Sequence, residues 1–340
     1  MPRPEPLRKR SMTKEKCPTF RRVALSRCGR LVACALLFAF GASCERQADP
    51  GKEEGTGAST FTVYTSFYPT EYFAKRLAGA HANVVCPVPD DADPIFWKPS
   101  PEAIAEMQRA DLIVLNGASF EKWAETVSLP EARVVDTARS FSDRLLRYEE
   151  SVRHQHGPAG EHSHEGIDGH TWLDPLQAIE QARAIRDALI ERLPNARADI
   201  ERSWTALEAD LRALDESFAA LVPDGAEPPP LLASHPAYNY LVRRYGWNVH
   251  NLDLDPETVP DDATIAEIRH TLEDFRARAL LWESEPVEEA ARKIEDELGV
   301  ESIVVSPCEL LSDEERAEGK DYLSIQRENI ERLRPVFAAR

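Results

Sequence analysis

Histidine is the residue type whose placement points most directly at chemistry. Of nine histidines, five (His154, His156, His162, His164 and His170) fall within the stretch ESVRHQHGPAGEHSHEGIDGHTW at 150–172. Neutral imidazole binds borderline divalent metals, so such a segment reads either as able to hold a metal or as a solvated polar loop. Another, His235, closes the apolar run LLASH at 231–235, where a strand gives way to a loop. Beyond residue 43 only Cys44, Cys86 and Cys308 remain, too few for a disulfide framework. No His-Glu-x-x-His, Gly-x-Ser-x-Gly or glycine-rich phosphate loop occurs, so nothing marks a metalloprotease, an α/β-hydrolase or a nucleotide enzyme.

The elements that must position these residues follow an alternating pattern. FTVYTSF (61–67), NVVCPVP (83–89), LIVLNG (112–117) and RVVDT (133–137) read as strands, with helices predicted through Glu71 to Leu77, after Ser100 and Pro101, and around Trp123. After the polar stretch, Asp174, Pro175 and Gln177 form a helix start with Asp as the cap, and that helix is expected to run to about Leu193. Ile200, Trp204, Leu207, Leu211, Leu214, Phe218 and Leu221 then recur at alternating spacings of four and three, which predicts one long helix with a continuous apolar stripe. Beyond the prolines at 228–230 the alternation resumes with strands at 231–235, 248–254, 277–283 and 301–307, each followed by a helix. The predicted fold is therefore α/β: two lobes, each a four-stranded parallel sheet with flanking helices, joined by a long backbone helix, with a ligand cleft between the lobes.

The N-terminus reads as a targeting segment. A basic leader with Arg21, Arg22, Arg27 and Arg30 precedes the apolar run LVACALLFAF, then Gly41, Ala42, Ser43 and Cys44; Met12 offers an alternative start. The run is shorter than the roughly 20 apolar residues that span a bilayer. Its ending resembles a bacterial lipoprotein signal, with Gly41 where leucine is usual, and implies lipidation of Cys44. The expected organisation is a lipoprotein signal peptide at 1–43, a flexible tether at 44–60, an N-terminal lobe at 61–194, a linker helix at 195–227 and a C-terminal lobe at 228–340. Past residue 43 the chain carries 31 basic and 57 acidic residues, a net −26. That sign repels phosphate backbones and attracts cations, which argues against a nucleic-acid partner.

Four segments together resemble the zinc and manganese receptors of bacterial ABC importers, the TroA-like and ZnuA-like family, over about 61–340. They are ADPIFWKPSPEAIAEMQRADLIVLNG, DGHTWLDP, SHPAYNYL and DYLSIQRENIERL, in the family order. The resemblance implies an exported, monomeric receptor, periplasmic or held at the outer membrane face by its lipid alone, that delivers a metal to an ABC permease and is not an enzyme. It places His170 at the second ligand position and His235 at the third, where imidazole favours Zn²⁺ over Mn²⁺. It implies a metal-collecting role for the loop with His154, His156, His162 and His164.

Two departures stand beside it. Ile95 occupies the place of the first ligand and Ser306 that of the fourth. Asp91 and Asp93, Glu283, and Cys308 with Glu309 are the local substitutes; Asp93, Glu283 and Cys308 are taken as candidate ligands. Cys86 and Cys308 are expected near the cleft, as soft ligands, as a disulfide, or as two unrelated core thiols. The rival readings are a degenerate receptor of the same fold with another ligand, and a zinc-dependent hydrolase.

Overall fold

Short apolar runs assemble here into two parallel sheets with the same topology. The computed structural model describes residues 60–338, apart from 91, 149–151, 156–160 and 165. The signal segment, nearly all of the tether, Cys44, Asp91 and His156 lie outside the described residues. The first sheet holds β1 (Thr62–Thr65), β2 (Asn83–Val85), β3 (Leu112–Leu115) and β4 (Val134–Asp136) in the order β2-β1-β3-β4. Strands β7 (Pro230–Ala233), β8 (Asn248–Asn251), β9 (Ala279–Trp282) and β10 (Glu301–Val304) form the second in the order β10-β9-β7-β8. Read from opposite edges, both run second, first, third, fourth. In each, the strand order reverses beside the first strand, and the crevice outside the carboxyl ends there is where such sheets bind ligands.

Parallel sheets bury both faces, and successive side chains point to opposite sides. Val63, Leu112 and Val114 of the first sheet and Leu231, Ala233 and Leu281 of the second belong to one apolar core. Leu232, Leu280 and Trp282 face away from it, into a separate core with Ile265, Ile268 and Ile294 from α6 (Asp262–Phe275) and α7 (Glu288–Leu298). The shared core is bridged by α3 (Pro175–Arg192) and α4 (Arg197–Ala219). The apolar stripe of α4 is buried from Ile200 to Phe218, and its 23 residues extend roughly 35 Å. The closing helix α9 (Tyr322–Ala338) packs against α4 and reaches α1 (Tyr68–Ala78), where the Tyr322 ring lies 5.3 Å from Phe73 and 5.6 Å from Tyr72. Among the described residues no helix is long and apolar enough to cross a membrane.

Two local expectations change. The helix expected around Trp123 is only a short 3-10 turn, Lys122–Glu125. Gly117, Ala118 and Ser119 all take left-handed backbone angles, and Glu121 accepts the Asn116 and Gly117 N–H groups at 2.6 and 3.1 Å, so the chain is committed to a tight turn. The expected His-rich loop contains an antiparallel hairpin of β5 (Val152–Gln155) and β6 (Glu161–His164), with His154 opposite His162 in register.

The Gly117 turn yields a stability test. At φ +77° a Cβ on Gly117 would lie 1.9 Å from Asp136 Oδ1, and that oxygen also accepts the Ala138 N–H. Gly117→Ala is expected to cost about 2–3 kcal/mol, from left-handed strain plus displacement of Asp136, and to lower the unfolding temperature by several degrees. Calorimetry showing an unchanged melting temperature would refute the strain argument.

Candidate metal centre

The candidate donors arrive from the carboxyl ends of strands. His235 follows β7 through Ser234, whose N–H donates to Leu281 O at 2.9 Å, so the histidine leaves the sheet at the strand-order reversal. Glu283 follows β9 directly, and its Oε2 is 3.4 Å from His235 Nδ1. Asp93 lies in the loop after β2; its Oδ1 accepts the Ile95 N–H at 2.9 Å. His170, fully buried, precedes α3, with its Nε2 3.1 Å from Glu309 Oε1 and its ring centroid 5.5 Å from that of His235.

Glu309 reaches the cleft because the chain after β10 turns sharply. Ser306 is fastened to α9, its N–H donating to Asn329 Oδ1 at 3.0 Å and its O accepting from Asn329 Nδ2 at 2.7 Å. Its hydroxyl accepts the Cys308 N–H at 3.1 Å, and Cys308 takes a left-handed φ of +61°. The next residue, Glu309, lines an interlobe cavity of about 700 Å³ together with Asp93, Ile95, His235, Glu283 and Ser306.

Charge is concentrated there. Burial, then the charges of Glu309 and Asp93, push the Glu283 carboxyl up to about 8. Burial and Glu309 likewise push Asp93 up to about 6. For His170 burial opposes the charged form, but Asp168 and Glu309 outweigh it and push its pKa up to about 10. Among the described residues no three His, Cys, Asp or Glu side chains enclose a metal position as they stand. The donors pair off instead, His170 Nε2 with Glu309 at 3.1 Å and His235 Nδ1 with Glu283 at 3.4 Å. Imidazole nitrogens and carboxylate oxygens are the donor set of a borderline divalent cation, and such a cation relieves the repulsion that raises these carboxyl pKa values.

The family model for the ZnuA zinc-uptake complex component A, periplasmic, matches residues 63–336. The chain belongs to this family. Among curated ZnuA-family relatives, the zinc-binding lipoprotein AdcA of Streptococcus pneumoniae serotype 4 (strain TIGR4) is 30% identical over 309 residues, covering 89% of this chain and 59% of AdcA. The high-affinity zinc uptake system protein ZnuA of Bacillus subtilis is 28% identical over 307 residues, covering 89% and 95%. A solved structure of the Zn(II)-bound ZnuA-like domain of S. pneumoniae AdcA superimposes with a TM-score of 0.70 at 25% identity, covering 82% of this chain and 99% of that one. The chain thus spans 59% of the length of AdcA but nearly all of the shorter B. subtilis protein.

Within this ZnuA-family fold the structure sorts the candidates from the sequence. His235, Glu283 and Asp93 line one cleft, and His170 lies buried against it through Glu309 and His235; the Cys308 side chain turns away into the core. Its side chain is 1% exposed and packs in the shared apolar core, where burial holds the thiol well above its usual pKa. What Cys308 contributes is the turn that carries Glu309 inward. Cys86 and Cys308 are both free thiols, so the disulfide alternative is not realised. Ile95 is buried in the core and contributes no donor. Asp168, which sequence reasoning missed, holds His170 Nδ1 at 2.8 Å; its signal was an acid two residues before a histidine in DGH. His154, His162 and His164 lie on the hairpin strands.

Proposed function

We propose that this protein is an exported receptor that captures one zinc ion in the interlobe cleft and delivers it to an ABC permease. The ligands in this reading are His170 through Nε2, His235, Glu283 and Glu309, with Asp93 supplying a further carboxylate where the usual first histidine is replaced by Ile95. The observation that carries it is that His235, Asp93, Glu283 and Glu309, from both lobes, line one cavity, with the buried His170 directly behind it, 3.1 Å from Glu309. That the curated relatives are named for zinc binding and zinc uptake supports it. A buried, mutually repelling carboxylate set is costly without a cation, and two imidazoles make zinc a better fit than manganese. The cavity rim adds Asp90, Asp255, Glu257 and Glu285, whose field raises the local cation concentration. Acylation of Cys44 is the proposed anchor, and the His-rich hairpin the proposed low-affinity collector.

The test is zinc content and affinity of the purified chain from residue 45 onward, by competition with a chromophoric chelator. One tightly held zinc per chain, with manganese bound more weakly, is the expected result; a chain that holds no zinc against the chelator overturns the reading. A degenerate receptor is the second reading, favoured by Ile95 and Ser306 at two of the usual ligand places. Under it, zinc would be no tighter than the isolated His-rich segment binds.

A further inference from the structure

The carboxylate of Asp168 does more than face a histidine. It is fully buried, and four donors converge on it. Oδ1 accepts from the His170 N–H at 3.0 Å, His170 Nδ1 at 2.8 Å and the Tyr148 hydroxyl at 3.2 Å, while Oδ2 accepts from Asn239 Nδ2 at 2.9 Å. Its backbone carbonyl accepts from the Tyr240 hydroxyl at 2.8 Å. Both carboxyl oxygens are used as acceptors here, whereas an amide in this place would turn an NH2 group toward donors. The Asn239 and Tyr240 contacts belong to α5 (Asn239–Tyr245), which begins four residues after His235. Asn239 Nδ2 also donates to Pro236 O at 3.1 Å, so it is fixed to the turn that carries His235. On the other side, Asn116 Nδ2 donates to Gly169 O at 2.9 Å and holds the Asp168–His170 segment to the first lobe.

We propose that Asp168 is a positioning residue for the metal site: it holds His170 Nδ1 so that Nε2 faces the cargo, and it joins that imidazole to the His235 turn of the second lobe. The inference rests on the zinc-capture reading and deepens it. An imidazole has two nitrogens and one hold on a metal. With Nδ1 donating to Asp168, Nε2 is the nitrogen beside Glu309, and a carboxylate behind the ring strengthens its donation to a metal. Because Asn239 shares that carboxylate, separation of the lobes at this joint loosens His170 as well as His235, so release to a permease draws on both ligands together.

The variants are Asp168→Asn, Asn239→Ala, and Asp168→Asn in a His170→Ala background. Loss of such a partner typically weakens metal affinity by about 10–100-fold. Asp168→Asn is expected to raise the zinc Kd by that factor, mostly through faster release, and Asn239→Ala by a smaller factor in the same direction. In the His170→Ala background Asp168→Asn should change the Kd less than about twofold, because its effect passes through that ring. An undiminished effect there, or none in the parent, overturns the proposal. Melting temperature cannot make this distinction, since a purely structural role lowers it in both backgrounds. If Asp168→Asn fails to fold, Tyr148→Phe with the same His170→Ala comparison decides, since Asn239 also touches the His235 turn directly. Nitrogen-15 imidazole spectra of the metal-free protein give an independent readout. The His170 Nδ1–H should exchange slowly in the parent and rapidly in Asp168→Asn, and equal exchange overturns the positioning role even if the parent chain holds no zinc. Failure of the parent to hold zinc, with slow exchange present, would count against the cargo and not against Asp168.

Discussion

The double variant His170→Ala, His235→Ala is expected to lose zinc affinity by on the order of 10,000-fold while keeping its fold. Four-ligand zinc sites gain about 10–16 kcal/mol in total, so one ligand is worth roughly 3 kcal/mol and two roughly 6, which is a little over four decades. The two imidazoles are the nitrogen donors of the cleft, so their loss leaves Asp93, Glu283 and Glu309, an all-oxygen set that suits magnesium or calcium better than zinc. Folding should survive because neither ring anchors an element: α3 is capped by Asp174, which accepts the Leu176 N–H at 3.0 Å, and His235 leads into α5 through backbone bonds. The alanine at 170 also removes the cation shared by Asp168 and Glu309, so the metal-free double variant should melt at a lower temperature than the parent while still folding. Competition titration measures the loss, and circular dichroism confirms the fold. Residual zinc at one weak equivalent is the share expected of the His-rich hairpin. An affinity within tenfold of the parent would mean that the tight site lies elsewhere.

Much of this architecture is written in local patterns. Apolar runs of four to seven residues, each followed by a helical stripe, suffice for two parallel sheets. The six apolar positions from Ile200 to Phe218 specify α4 because their spacing keeps one face toward the core. His170 and His235 are legible as strand-end or helix-start residues with the right chemistry. Glu309 is harder to place, since the family resemblance puts the fourth ligand at the end of the run 301–307, on Ser306. Only the left-handed turn at Cys308 brings Glu309 inward, and a non-glycine residue gives little warning of that conformation. Asp168 is obscure for a different reason: its bond to Asn239 spans 71 positions and exists only once the lobes have docked. The missing helix near Trp123 is a competition that propensity does not reveal, because Glu121 spends its carboxylate on the backbone of Asn116 and Gly117 rather than beginning a helical turn. The His-rich hairpin escapes because VRHQ and EHSH carry no apolar alternation.

Lowering the pH from 7.5 to 6.0 is expected to weaken zinc binding by roughly 30- to 1000-fold, more steeply than ordinary histidine titration near pH 6.5 allows. In the metal-free protein His170, with its pKa pushed up to about 10, carries its extra proton throughout this range, and Glu283, at about 8, carries most of one. Zinc takes a deprotonated imidazole and a carboxylate, so binding releases between one and two protons, and each released proton costs tenfold in affinity per unit of pH. The stability of the metal-free chain has the opposite sign. A group whose folded pKa lies above its unfolded value stabilises the fold below the unfolded pKa and loses that contribution as pH rises through the folded one. For Glu283 this window runs from about 4.5 to 8, and for His170 from about 6.5 to 10. The metal-free protein should therefore melt at a lower temperature as pH rises from 6 to 9, while the gain in melting temperature on adding zinc grows over the same range. Glu309→Gln removes one of the two carboxylates that keep His170 charged, so it should both weaken binding and flatten the pH slope toward one proton. Chelator competition at fixed ionic strength, paired with scanning calorimetry with and without zinc, measures both. A zinc affinity that falls less than tenfold between pH 7.5 and 6.0 would show that the protons bound in the His170–Glu309 and His235–Glu283 pairs are not the ones zinc displaces.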